Sequence, residues 1–388
     1  METRRGGAVL TDSEKAVVRA VLIHGPIPRI ELATMLDLSP SSLTRLVKPF
    51  LDRGLLIERD ERPAGAIGRP VRPLDVAPGL PHVAGVKLTG EAMHVAVTDV
   101  RAELVAAAER PLTSHEPAEV AAQVAAAIRA TQVEPVAAVG VSLGGAVRDG
   151  VVEHAPFLGW EDVAFGPLLQ AEVGVPVVLE NDLVALAEAE RWFGLGRDIS
   201  GFVVVTIGAG IGYALVVHGE VVRSREAGVG LGGHIPLIAG GPLCAEGHHG
   251  CAQAVLTSGS IAAQVSGAVQ QTVDYAEVLD MARAGHPAAS AVVGAAADAL
   301  GRFVALAANF SMQPAAVLAG DGIALFAVAE ARVRAALAAD RDPRADPVRL
   351  FVDESGFTAW ARGAAAVAIQ DAVDRIRLDG RVETVAAT

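Results

Sequence analysis

Arg29-Ile30-Glu31-Leu32-Ala33-Thr34-Met35-Leu36, then Ser39-Pro40-Ser41-Ser42-Leu43-Thr44-Arg45, then Gly68-Arg69-Pro70: between residues 27 and 72 these stretches read as a winged helix-turn-helix. The first is a short helix. The second opens another helix after a turn, and the third closes a β-wing. Ser39 is a good N-cap, because its hydroxyl can accept from a backbone N–H that has no helical partner. Pro40 at the first helical position forfeits nothing, since that N–H is unpaired in any residue. Leu43, Leu46, Val47, Phe50 and Leu51 recur at helical spacing and predict one buried face. Ser41, Ser42, Thr44, Arg45 and Lys48 fall on the other. They are short hydrogen-bonding groups and cations, the set that reads base edges and holds phosphates. Pro49 removes one helical hydrogen bond and predicts a kink in the last turn. Gly54 ends the helix, and Leu55–Glu58 begins the wing. Arg69, between Gly and Pro, has the setting of an arginine that enters a narrow minor groove. Arg29, at the start of the first helix, completes the set of candidate DNA contacts.

The charge distribution fits that assignment. Over 388 residues the net charge is −13, which argues against a general nucleic-acid binder. Residues 1–75 hold 12 Lys/Arg against 10 Asp/Glu, whereas the rest holds 20 against 35. A mildly basic head on an acidic body touches DNA through the head alone. Two cysteines, Cys244 and Cys251, do not make a disulfide framework. Residues 1–10 lack the apolar core of a signal peptide. The apolar run Val203–Val217 is short for a membrane span and is broken by Gly208, Gly210 and Gly212. A cytoplasmic protein with no membrane partner is expected.

Residues 63–81 are rich in Pro and Gly and read as a linker, with a boundary near 78. Beyond it, strands at 83–88, 93–99 and 103–109 precede a helix over 117–131. A strand at 136–142 leads into Leu143-Gly144-Gly145. A strand ending at Glu180-Asn181-Asp182 precedes a helix over 183–193. A second unit starts near Gly201 with a hairpin, 202–207 and 213–217. Helices over 261–272 and 288–310 follow, with a strand at 316–318 and a closing helix from Trp360. Such alternation predicts an α/β body. Both units start with a strand hairpin, which is compatible with a duplicated fold.

At this point the residues resemble a known family. Val139–Gly145, Pro176–Glu188, Val205–Gly212, Gly233–Cys251, Asn309–Gly322 and Ala361–Ala368, with the head and Gly68-Arg69-Pro70, follow the order of ROK regulators (repressors, open reading frames and kinases). The resemblance implies an α/β body of two actin/ribonuclease-H-like halves behind an N-terminal α+β winged helix-turn-helix. The expected division is 1–78 for the head and linker, 79–200 for the first half, completed by a C-terminal helix over 359–388, and 201–358 for the second half.

A sugar kinase needs a carboxylate base and loops that hold ATP phosphates. In the resemblance, Asp182 matches the family's base and Asn181 a sugar-hydroxyl contact. The first phosphate loop, Asp-x-Gly-Gly-Thr in the kinases, reads Lys87-Leu88-Thr89-Gly90-Glu91, without its metal-directed Asp. The second reads Gly208-Ala209-Gly210, without its Thr. Asp182 is thus expected to be the relic of a base, and no ATP is expected. The family's Gly-Glu-x-Gly-His is Gly230-Leu231-Gly232-Gly233-His234, so a pocket carboxylate has become Leu231. A second has become Gln253, which can still bond a hydroxyl. Gly145, Asn181, Asp182, His234 and Gln253 are the candidate ligand contacts, for a carbohydrate-like effector that is modified or less hydroxylated than a standard hexose.

The family's zinc ligands, His and three Cys, fall on His234, Cys244, Glu246 and Cys251. A carboxylate can ligate zinc, and His248 or His249 could substitute for Glu246. The rival reading is two free thiols in a glycine-rich loop. The expected function is a transcriptional regulator, a repressor, that binds double-stranded operator DNA as a homodimer or homotetramer. Two alternatives are a regulator governed by a protein partner and a sugar kinase with a fused head.

Overall fold

The computed structural model describes residues 10–60, 72–224, 226 and 228–376. The head starts with a helix that the sequence reading passed over, α1 (Asp12–His24). Its signal was present: Thr11 and Glu14 form a reciprocal capping box, and Val17, Val18, Val21 and Leu22 are buried at helical spacing. Next come α2 (Arg29–Met35) and α3 (Pro40–Asp52). The Ser39 hydroxyl accepts from Ser42 N–H at 3.1 Å, as a cap should. α3 buries Leu43, Val47 and Phe50, and it runs through Pro49 as a single helix to Asp52.

The wing pairs β1 (Leu56–Glu58) antiparallel with β2 (Leu74–Val76), and Ile27 bridges to Leu74 on the other side. Part of the stretch read as linker is therefore the second wing strand. Leu74 is fully buried, so its apolar side chain rather than the neighbouring prolines decides the local structure. Gly68-Arg69-Pro70 lie outside the described residues.

The body is built from two sheets of one topology. The first contains β3 (His82–Leu88), β4 (Ala92–Thr98), β5 (Leu104–Pro111), β6 (Val136–Leu143) and β10 (Val177–Asn181), with α4 (Pro117–Arg129) between β5 and β6. A small antiparallel sheet of β7 (Ala146–Arg148), β8 (Val151–Ala155) and β9 (Trp160–Val163) and helix α5 (Phe165–Val173) precede β10. The spatial order is β10-β6-β3-β4-β5: an antiparallel meander of three, with two parallel strands added beside β3.

Helix α6 (Asp182–Trp192) leads to the second sheet: β11 (Phe202–Ile207), β12 (Ile211–Val217), β13 (Glu220–Val221), β14 (Ala315–Ala319) and β15 (Arg349–Val352). Its order, β13-β12-β11-β14-β15, repeats the first. The duplication read from the two hairpins is thus present as a repeated sheet order. Between β13 and β14 lie α7 (Ala252–Leu256), α8 (Ser258–Val269), α9 (Tyr275–Arg283) and α10 (Pro287–Ser311); α11 (Ala324–Ala339) precedes β15. α10 is long and apolar enough for a membrane span, but it packs in the second core through Leu300, Phe303 and Val304.

The last helix, α12 (Phe357–Arg375), returns to the first sheet. It approaches so closely that two sheet positions must be glycine. A Cβ on Gly85 would sit 1.9 Å from Ala361 O, and one on Gly140 would sit 1.9 Å from Ala364 O. Ala361, Ala364, Ala365 and Ala368 face the sheet for the same reason. α6 and α12 lie between the halves, where Val184, Leu186 and Trp360 pack with Phe202, Val204 and Val317 of the second sheet.

The head docks on the body by the far end of α12. Asp374 accepts ion pairs from Lys15 at 3.2 Å and Arg19 at 3.0 Å. Arg101, in the β4–β5 turn, donates to the carbonyls of Leu22 and Val21 and to the carboxylate of Asp75. Burial opposes the charge of Asp75, but Arg101 and Arg59 together hold its pKa below the ordinary carboxylate value. Trp192 and Val373 share one apolar cluster with Val17, Val21 and Phe50 of the head.

Candidate functional site

The exposed face of α3 carries the expected DNA contacts, with two qualifications. Arg45 is exposed and makes no ion pair among the described residues. Lys48 is held loosely by Asp52, 3.7 Å away one turn on. Ser41 and Ser42 both bond the Ser39 hydroxyl, at 3.0 and 2.9 Å, so their own hydroxyls are partly committed to the cap. Arg29 is taken by the fold: its guanidinium donates twice to Glu58 of the wing, at 3.2 and 2.7 Å. That pairing joins residues 29 apart in sequence and was not visible in the pattern. Arg69 falls outside the described residues.

In the body, the end of β10 and the start of α6 place Asn181 and Asp182 at the cleft. Asn181 caps α6, its side-chain oxygen accepting from Leu183 and Val184 N–H. Its amide donates to Gly145 O at 2.9 Å and to Asp182 at 3.3 Å. Both ends of the side chain are therefore used in holding the loop. Gly145 needs its glycine: φ is +147°, and a Cβ would meet His154 O at 2.1 Å.

The partner of Asp182 is Lys87. Its ammonium is ion-paired with the Asp182 carboxylate and lies 5.2 Å from the centre of the Trp360 ring. Lys87 is 7% exposed and Asp182 17%. Lys87 holds the place where the resemblance puts a metal-directed Asp. A fixed cation thus stands beside Asp182. The sequence reading noted the missing Asp without seeing what the lysine meets, because the partners are 95 residues apart.

The second phosphate loop is closed against another carboxylate. Asp321 packs on Gly208 so tightly that a Cβ there would sit 1.7 Å from its Oδ1. At the first loop the residues do not fit a metal-bound triphosphate, because a lysine replaces the metal-directed Asp; at the second, an aspartate packs on the glycine backbone.

The two halves are tied at the cleft by Arg223, which follows β13. It pairs with Glu188 at 2.9 Å and Glu180 at 3.4 Å, both from the first half. Burial raises the pKa of Glu180 despite Arg223. Gly228, in the loop after Arg223, also meets the first half: a Cβ on it would lie 2.1 Å from Gly145 O and 2.8 Å from the Asn181 amide. This loop leads into a short 3-10 turn, Leu231–His234. Leu231, where the resemblance expects a carboxylate, is 64% exposed. Gln253 lies beside the same turn, its Oε1 3.5 Å from the Cβ position of Gly233.

His234 turns toward the thiols. His234, Cys244 and Cys251 bring one donor atom each within 4.8 Å of one another. His234 Nδ1 is 3.8 Å from Cys244 Sγ and 4.0 Å from Cys251 Sγ. Zn–S bonds of about 2.3 Å and Zn–N bonds of about 2.0 Å give a tetrahedral N···S edge of roughly 3.6 Å. Two buried thiols and an imidazole at these separations fit a zinc ion. Glu246, the expected third ligand, is exposed and lies outside this group of three.

Two sheets of one order about a cleft, with α6 and α12 packed between them, define the actin/ribonuclease-H-like class of two-halved proteins. Within that class the chain belongs to the ROK family, whose model matches residues 83–371. It is 26% identical over 257 residues to the DNA-binding transcriptional repressor Mlc of Escherichia coli, a match covering 63% of each chain. A putative xylose repressor of Caldicellulosiruptor is matched over 61% of its length, so the chain spans under two thirds of either relative. The dual regulator NagC of E. coli is 25% identical over 323 residues, 79% of each chain. The glucokinase of Thermotoga maritima is 31% identical over 204 residues, 48% of this chain and 63% of that one. A solved ROK regulator, a homolog of E. coli Mlc, superposes with a TM-score of 0.78 at 23% identity, covering 94% of this chain and 98% of the other. A ROK glucokinase from Streptomyces griseus gives 0.63 at 23% identity over 74% of this chain.

Proposed function

We propose that this protein is a transcriptional regulator of the ROK type, a repressor that binds a two-fold operator through α3 and the wing. Its body takes a carbohydrate-like effector in the cleft around Asp182, Gln253 and the His234 turn. The observation that carries this reading is the Lys87–Asp182 ion pair. In a kinase the carboxylate accepts a proton from the attacking hydroxyl while metal and nucleotide phosphates lie close by. Here a tethered ammonium is bound to that carboxylate, and Asp321 adds negative charge at the phosphate loop. The cleft keeps a charged pair that can bond hydroxyls but lacks the means to hold ATP. The relatives named as repressors support the same direction, and the docked head supplies the output.

Effector binding would alter how the halves close, and with them the spacing of two heads in a dimer. The homodimer or homotetramer, the three-part division at residues 78 and 200 and a cytoplasmic setting belong to this reading. The test has two arms. Genomic DNA bound by the purified protein is selected and sequenced, and its affinity is measured with and without a sugar panel. ATP turnover is measured with the same panel. The reading expects a discrete operator, weakened by one class of sugar, and no sugar-dependent turnover. Turnover above background would replace it with a kinase. An operator indifferent to every sugar would move control to a protein partner.

A further inference from the structure

The metal group of three lacks a fourth donor, and the residue in the expected register does not supply it. We infer that His248 is the fourth ligand, so that this chain builds a two-histidine, two-cysteine zinc centre from His234, Cys244, His248 and Cys251. His248 Nδ1 lies 3.5 Å from Cys244 Sγ and 3.1 Å from His234 Nδ1. The tetrahedral edges are roughly 3.6 Å for N···S and 3.3 Å for N···N, so His248 meets two of the three donors at ligand spacing.

The backbone sets this geometry. Cys244 N–H donates to His248 O at 2.9 Å, closing a turn across residues 244–248. His248 N–H points at Cys244 Sγ, 3.3 Å away. An N–H aimed at sulfur stabilises a thiolate, the form that binds metal. The same turn places the two imidazoles 4.6 Å apart at 48°, with both Nδ1 atoms directed at one another and at the thiol. Two ring nitrogens and a sulfur converging on one point is what a shared cation requires. His249 is excluded by the same turn: its Nδ1 faces Gly241 O at 3.3 Å. The exposed His248 side chain closes the last edge, to Cys251, by rotating about its own bonds.

The ligand exchange also changes charge. Two thiolates and two neutral imidazoles leave the centre neutral around Zn²⁺, whereas three thiolates or a thiolate–carboxylate set leaves it negative. A neutral centre places no net anion beside the His234 turn that faces the cleft.

The experiment uses the full chain, purified and dialysed against a zinc-competing dye, with metal content and affinity measured for wild type and variants. Wild type should hold one zinc per chain. His248→Ala should bind roughly a hundredfold more weakly or worse, while Glu246→Ala and His249→Ala keep wild-type affinity. His248→Cys should restore binding. With Co²⁺ in place of zinc, the wild type should show tetrahedral absorption with charge transfer from two thiolates, and His248→Cys should gain a third. Full zinc affinity in His248→Ala, loss of zinc in Glu246→Ala, or a wild type that holds no zinc would each overturn the assignment.

Discussion

Replacing Lys87 by methionine should be among the most costly single changes in the body. Methionine keeps the length of the side chain and removes the ammonium. Asp182, 17% exposed, then retains one short backbone bond, from Leu183 N–H at 2.8 Å, but loses its counter-ion. Two unit charges about 3 Å apart attract by roughly 5 kcal/mol at an effective dielectric near 20. Breaking a buried pair by removing one partner costs about 3–5 kcal/mol. The helix N-terminus and the Leu183 N–H keep part of the carboxylate's stabilisation, which places Lys87→Met near 3 kcal/mol. Asp182→Asn removes the ammonium's counter-charge and leaves it an amide oxygen and the Trp360 ring, at a similar cost. The double variant removes both charges and should cost less than the sum by about 2–3 kcal/mol, the coupling expected of residues in contact. The assay is urea unfolding of all four proteins by circular dichroism, comparing the transition that the mutations shift. Single costs below about 1 kcal/mol that simply add in the double variant would show that the pair is not a buried, coupled one, and the argument against a nucleotide would lose its footing.

Three further outcomes are expected. Arg45→Ala should lower operator affinity by roughly 10- to 100-fold and relax preference at one base position; unchanged binding in a mobility-shift titration would remove α3 from the reading face. Burial raises the Glu190 pKa to about 7 from an ordinary value of 4.5. The folded state therefore holds a proton that the unfolded chain releases, so stability falls as pH rises from about 4.5 to 7, by up to roughly 3 kcal/mol. Glu190→Gln should flatten that fall in melting temperature, and an unaltered pH profile would contradict it. Arg101→Met should remove the donors to Val21 O and Leu22 O and leave the buried Asp75 with Arg59 as its one remaining cation beside the Val76 N–H, loosening the head by about 2–3 kcal/mol. Hydrogen exchange should then quicken in α1 while the β11–β14 core stays protected, and uniform exchange in both would refute local undocking.

Legibility in the sequence followed the range of the interaction. The Ser39 cap, the buried face of α3 and the hairpin at the start of each half depend on neighbours, and all could be read. So could Cys244 and Cys251 as possible ligands, since their spacing lies in one loop. α1 carries a local signal too, the Thr11–Glu14 box and the buried spacing of Val17, Val18, Val21 and Leu22. β7–β9 are three to five residues each, too short for alternation to register. Leu74 in the wing was hidden among prolines. Lys87 with Asp182, Arg29 with Glu58, and Arg223 with Glu188 are pairings the fold creates between distant positions. The resemblance implies a sugar-hydroxyl contact for Asn181, whereas the geometry shows its hydrogen bonds fastening the loop.

Helix α12 carries Trp360 over Lys87 in its first turn and Asp374 under the head in its last. From Trp360 to Asp374 the rise is about 21 Å at 1.5 Å per residue, and the span is rigid because alanines press it against Gly85 and Gly140. Its pitch is therefore a ruler shared by two places that never touch. One residue inserted between them would turn Asp374 by roughly 100° away from Lys15 and Arg19 while altering neither place. The number of residues in that helix therefore sets the register between the cleft and the head.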